Sequence, residues 1–105
     1  MISTRVVDAG RGIPAYRVPV ELDAFITGGG WKQVGHGVTV NDGTVLDFGE
    51  PQAPGIYRLH FDIAAYSSDN FFPSIAITFE VRDPLESYHI PLVLSPYGYS
   101  TFLEK

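Results

Sequence analysis

Cysteine is absent from this chain of 105 residues, which excludes a disulfide framework, a cysteine-based zinc site and a thiol nucleophile. The three histidines, His36, His60 and His89, lie too far apart in sequence to form a metal signature, so no metal and no cofactor is expected. Positive charge is scarce as well. Seven Lys and Arg against twelve Asp and Glu leave a net charge of −5, the wrong sign for holding a phosphate backbone. No apolar run approaches the roughly 18 residues of a membrane-crossing helix, and Met1-Ile2-Ser3-Thr4-Arg5 does not read as a signal peptide. A soluble, cytoplasmic protein with neither nucleic acid nor membrane as partner is expected. The length is that of one domain, residues 1–105. A chain this short buries roughly 60–70% of its unfolded surface, so a sizeable site calls for a second chain.

What the chain does contain is 45% hydrophobic and 13% aromatic residues, broken up by 8 prolines and 11 glycines. That balance favours short strands over helices. Apolar residues alternate in Thr4–Asp8, Val18–Phe25, Gly37–Asn41, Ile56–Ile63, Ile75–Val81 and Tyr88–Leu94, the period of a half-buried strand. Turn signals separate them: Gly10-Arg11-Gly12-Ile13-Pro14, Gly28-Gly29-Gly30, Asn41-Asp42-Gly43, Pro51-Gln52-Ala53-Pro54-Gly55 and Asp83-Pro84. The spacing predicts an all-β, antiparallel sandwich of two packed sheets. One segment reads helical, Asp62–Asp69, with Asp62 as its cap.

Alternation also assigns faces. Tyr57, Leu59, Phe61 and Ile63 form a core set, as do Tyr88, Ile90, Leu92 and Leu94, which leaves His89, Pro91, Val93 and Ser95 on an outer face. An imidazole beside Pro and Val on such a face points to a covered surface, and makes His89 the leading acid/base candidate. His36 and His60 read as an isolated loop-edge histidine and an exposed strand histidine. Glu21 and Asp23 share a face and read as solvated strand charge. The triglycine lacks the Lys-Ser/Thr of a phosphate loop, and no Gly-x-Ser-x-Gly elbow is present. Three aromatics within Ser95–Phe102 mark the C-terminus as a docked segment suited to an oligomer contact.

The run His89-Ile90-Pro91-Leu92-Val93-Leu94-Ser95-Pro96-Tyr97-Gly98-Tyr99-Ser100-Thr101 resembles the C-terminal signature of the transthyretin and 5-hydroxyisourate hydrolase family. Ser3-Thr4 with Val6-Val7-Asp8, Gly12-Ile13-Pro14-Ala15, Asn41-Asp42-Gly43, Gly55-Ile56-Tyr57 and Phe71-Phe72-Pro73 extend the resemblance along the chain. It implies a prealbumin-like sandwich of two four-stranded sheets with one short helix. It also implies a homotetramer built as a dimer of dimers, with a small-molecule channel between the dimers. Of the hydrolase branch's catalytic pattern, the histidine before Ile-Pro is present as His89. The first-strand histidine is replaced by Arg5, the arginine after Asn41-Asp42-Gly43 by Thr44, the first histidine of the His-Tyr-His by Ser87, and the tail reads Phe102-Leu103-Glu104-Lys105.

Arg5 brings a permanent positive charge but no base, and Thr44 has no fork of donors. The expectation is a diverged enzyme acting on a small cyclic or heterocyclic metabolite, with His89 as acid/base and Arg5 as anion-binding group. Thr44, Tyr99, Ser100, Phe102 and Lys105 are placed around the substrate. Two alternatives stand beside it: a genuine 5-hydroxyisourate hydrolase with an altered site, and a non-catalytic carrier of small ligands.

Overall fold

The computed structural model describes all residues, Met1–Lys105. Its strands are β1 (Ile2–Asp8), β2 (Ile13–Pro14), β3 (Pro19–Ile26), β4 (Gly30–Val38), β5 (Thr44–Val45), β6 (Gly55–Asp62), β7 (Ser74–Val81), β8 (Tyr88–Ser95) and β9 (Gly98–Thr101), with one helix, α1 (Ile63–Tyr66). They form two sheets. The first runs β2-β1-β8-β9 with the two-residue β5 also on β1, and the second runs β4-β3-β6-β7. The first sheet thus has five strands where four are expected, because β2 binds the end of β1 and β5 its middle.

The expectation of a wholly antiparallel sandwich meets one exception: β1 and β8 are parallel, from Ile2 beside Tyr88 to Asp8 beside Leu94. Nearly the whole chain intervenes between these strands, so no hairpin dictates their direction. Between the sheets lie Val20, Leu22, Leu59, Phe61, Ile75, Val81, Ile90, Leu92 and Leu94, all at most 5% exposed. Burying each such large side chain contributes roughly 1.5–3 kcal/mol. The two core sets read from alternation, that of β6 with Ile63 and that of β8, are buried as expected.

β4 departs most from its reading. It starts at Gly30 and ends at Val38, because Leu22 pairs with Gly35 and Asp23 with Gln33, leaving Val34 as a bulge. One extra residue inverts the faces and erases the alternation before it. The triglycine is the β3–β4 turn, with Gly28 and Gly30 at positive φ and the Gly29 N–H donating to the Ile26 carbonyl at 2.8 Å. His36 therefore lies within a strand and not on a loop edge.

The helix is shorter than expected. Asp62 caps it by accepting from the Ala65 N–H at 3.1 Å, but Ser67 is already extended. Ser67 Oγ accepts from the Asp69 N–H at 3.2 Å, a local turn that competes with helix. No helix here is long and apolar enough to cross a membrane.

Candidate functional site

Cross-strand partners share a face, so the register of the first sheet defines what surrounds His89. Ser3 is opposite His89, Arg5 is opposite both Pro91 and Thr44, and Val93 is opposite Ser100. All of these side chains lie on the outer face, away from Leu92 and Leu94. One step along β1 or β8 on that face is about 6.6 Å. Relative to His89, Arg5 therefore lies one step along and one strand across, Thr44 one step along and two strands across, and Ser100 two steps along and one strand across.

Three adjacent strand segments supply a transverse row. The Ser3 Oγ is 2.8 Å from His89 Nδ1, and His89 Nε2 is 3.4 Å from Glu104 Oε2. Glu104 is held there by an isolated bridge in which its N–H donates to the His89 carbonyl at 2.9 Å. Pro91 explains why the bridge is isolated. It has no N–H for the neighbouring segment, and its carbonyl accepts from Thr101 Oγ1 at 2.8 Å. Regular pairing of β9 stops at Thr101 and returns at Glu104. The His89 side chain remains 27% exposed within the chain, so the ring is held without being sealed.

In the neutral tautomer that turns the Nε2 hydrogen toward the Glu104 carboxylate, Nδ1 presents its lone pair and the Ser3 hydroxyl donates to it. Neither ring nitrogen is without a partner.

Thr44 is committed elsewhere. Its hydroxyl donates to Asp42 Oδ1 at 2.6 Å and its N–H donates to the same atom at 3.1 Å. The Thr44 hydroxyl, then its N–H, hold the Asp42 carboxyl below the usual carboxylate range, with the Arg5 charge adding to the effect. Arg5 itself takes part in none of the six ion pairs of the chain and is exposed. It is a cation without an ion-pair partner, diagonal to His89 on the neighbouring strand.

The other expected site residues are dispersed. Tyr99 is opposite Leu94, hence on the inner side, where its ring meets Phe72 edge-on at 5.5 Å. Phe102 lines an apolar groove of about 200 Å³ with Ile77, Phe79, Tyr88, Ile90 and Leu103, at the open edge between the sheets. Lys105 is an exposed terminus. A second groove, of about 430 Å³, lies at the other end of the sandwich among Leu22, Ala24, Phe48 and Tyr57. Neither groove includes His89 or Arg5. Their surface is an open sheet face, with no opposing wall in its own chain.

Alternation from Arg5 back to Ser3 would have disclosed the hydroxyl beside the histidine row. The i, i+2 spacing of Asp42 and Thr44 is likewise a readable turn signal. Glu104 had no local signal, because only the return of the tail onto β8 brings it to the ring.

Fold and site together define a transthyretin-type sandwich whose outer sheet face carries a partnered histidine and an unpaired arginine. The HIUase/Transthyretin family model matches residues 2–103, and the chain belongs to that family. It is 39% identical to the uric acid degradation bifunctional protein TTL of Arabidopsis thaliana, over 96% of this chain but 36% of that protein, so it spans about a third of that relative's length. It is 37% identical to the 5-hydroxyisourate hydrolase of Salmonella typhimurium, over 97% of this chain and 79% of that one. Among solved structures it resembles sea bream transthyretin in complex with thyroxine, with a TM-score of 0.88 and 30% identity over 98% of this chain and 93% of that chain.

Proposed function

We propose that this protein hydrolytically opens the ring of a small cyclic metabolite at the outer face of its first sheet, 5-hydroxyisourate being the substrate for which its relatives are named. His89 supplies the proton transfer and Arg5 binds the anionic substrate and the oxyanion that develops on it. The observation that carries this reading is the retained histidine, tied by Ser3 on one nitrogen and approached by Glu104 on the other, with an unpaired guanidinium diagonal to it on the neighbouring strand. Thr44 cannot take the place of a second cation, since its hydroxyl is given to Asp42. The missing wall comes from further copies of the chain in a dimer of dimers, with the ligand channel between the dimers.

The direct test is to generate 5-hydroxyisourate from urate with urate oxidase and follow its decay with and without the protein. Acceleration that disappears in His89→Ala supports the proposal; decay at the spontaneous rate removes isourate as the substrate. The second reading, a carrier, draws on the commitment of Thr44 to Asp42 and on the likeness to a transthyretin solved with thyroxine. Calorimetric titration with thyroxine separates the two: saturable binding with no isourate turnover favours the carrier.

A further inference from the structure

The geometry points to Ser3 as a nucleophile, activated by His89 and steadied by Glu104, that accepts an acyl group from small activated esters. This rests on His89 being the proton-transfer group, but not on isourate being the substrate.

With a partner on each nitrogen, the resting His89 ring meets the Ser3 hydroxyl before it meets water. Nδ1 holds the Ser3 hydroxyl at 2.8 Å and Nε2 faces the Glu104 carboxylate at 3.4 Å. The first proton within reach of the free lone pair is that of Ser3. Nucleophile, base and orienting carboxylate in sequence form the arrangement by which an otherwise weak hydroxyl becomes reactive. The 3.4 Å contact is longer than a good hydrogen bond, and contacts of this kind tighten when substrate is bound. Glu104 touches no reacting atom and acts as a positioning residue, holding the tautomer and stabilising the imidazolium.

The surroundings fit the chemistry. Ser3 is only 8% exposed, which limits access to small acyl groups. Arg5, one step along the same strand and face, has no ion-pair partner and supplies charge for the tetrahedral oxyanion. In the first half-reaction the Ser3 Oγ bonds to the acyl carbon while its proton passes to Nδ1. The bond from the acyl carbon to the leaving oxygen then breaks and that oxygen takes the proton, so acyl-Ser3 and a free alcohol result. In the second, water gives a proton to Nδ1 and its oxygen attacks the acyl carbon. Ser3 leaves with the proton and the acid is released.

The test treats the full chain with p-nitrophenyl acetate near neutral pH, measures p-nitrophenolate release, and maps the label by fragmentation of the N-terminal tryptic peptide ending at Arg5. The expected result is a burst of about one p-nitrophenolate per chain, with the acetyl group on Ser3 and not on the Met1 amine or Thr4. The label disappears in folded His89→Ala, and in Glu104→Gln the burst slows by about tenfold or more. Circular dichroism confirms folding of each variant. An unlabelled Ser3, or equal labelling with and without His89, overturns the proposal. The isourate assay reads a different reaction, so each reading fails independently of the other.

Discussion

The two sheets of this sandwich present outer faces of the same architecture and opposite electrostatic design. On the second sheet, Asp23 and Arg58 are direct cross-strand partners, and the carboxylate accepts from both Nη2 and Nε of the guanidinium at 3.0 and 3.2 Å. The guanidinium also lies 4.2 Å from the centre of the Trp31 ring, whose edge contact with Phe25 completes the cluster. Every charge in that cluster is satisfied by its neighbours. On the first sheet, the cross-strand partners of Arg5 are Pro91 and Thr44, neither of which can neutralise it. The lesson is that burial and charge alone do not mark a site. Asp23 is among the more buried carboxylates, 7% exposed, yet it is paired within its own sheet, whereas exposed Arg5, the group we propose binds substrate, has no ion-pair partner.

The largest expected effect falls on activity. Arg5→Ala should reduce turnover of the ring substrate by about a hundredfold or more, while shifting stability by no more than about 0.5 kcal/mol, as for an ordinary surface position. Steady-state kinetics and thermal melting of one preparation check both halves. A melting loss as great as the loss for Asp23 would break the contrast between the faces.

Asp23→Ala should do the reverse. It leaves Arg58, 29% exposed, with its π contact but without its carboxylate, at a cost of about 1–3 kcal/mol, read by urea unfolding. Its kinetics should match those of the parent chain, and a kinetic defect would show that the second face also serves the site.

The smallest effect belongs to Thr44→Val. Since Asp42 has a depressed pKa in the fold, chiefly through the Thr44 hydroxyl, its contribution to stability is present above the ordinary carboxylate pKa and is lost as pH falls through the lowered one. The variant should melt slightly below the parent at neutral pH and converge with it in acid. A gap independent of pH would assign the loss to packing.

Much of the sandwich was legible because burial on one side imposes a period of two. β6 and β8 kept that period, and their inward and outward sets were readable residue by residue. β4 was not, because the Val34 bulge breaks the period. The charge of Asp23 was read as solvated because its partner is 35 residues away in sequence. At the site, His89 was legible as an outward-facing residue, and Arg5 as the cation standing in the first strand. Tyr99 and Phe102 were expected around the ligand, but they lie on the inner side and along an edge groove. Only the register between β8 and β9, and the interruption at Pro91, decides that.

The amino-acid sequence by itself determined which residues of β6 and β8 avoid water, the absence of thiol chemistry and the presence of His89, since these depend on side-chain chemistry and local alternation. Tertiary structure alone decided that β1 lies parallel to β8 and that the tail returns at Glu104. A row of Ser3, His89 and Glu104 follows from those two pairings, which join segments 86 residues apart in one case and 15 in the other. Such pairings arise from closing the whole core, and no local pattern encodes them.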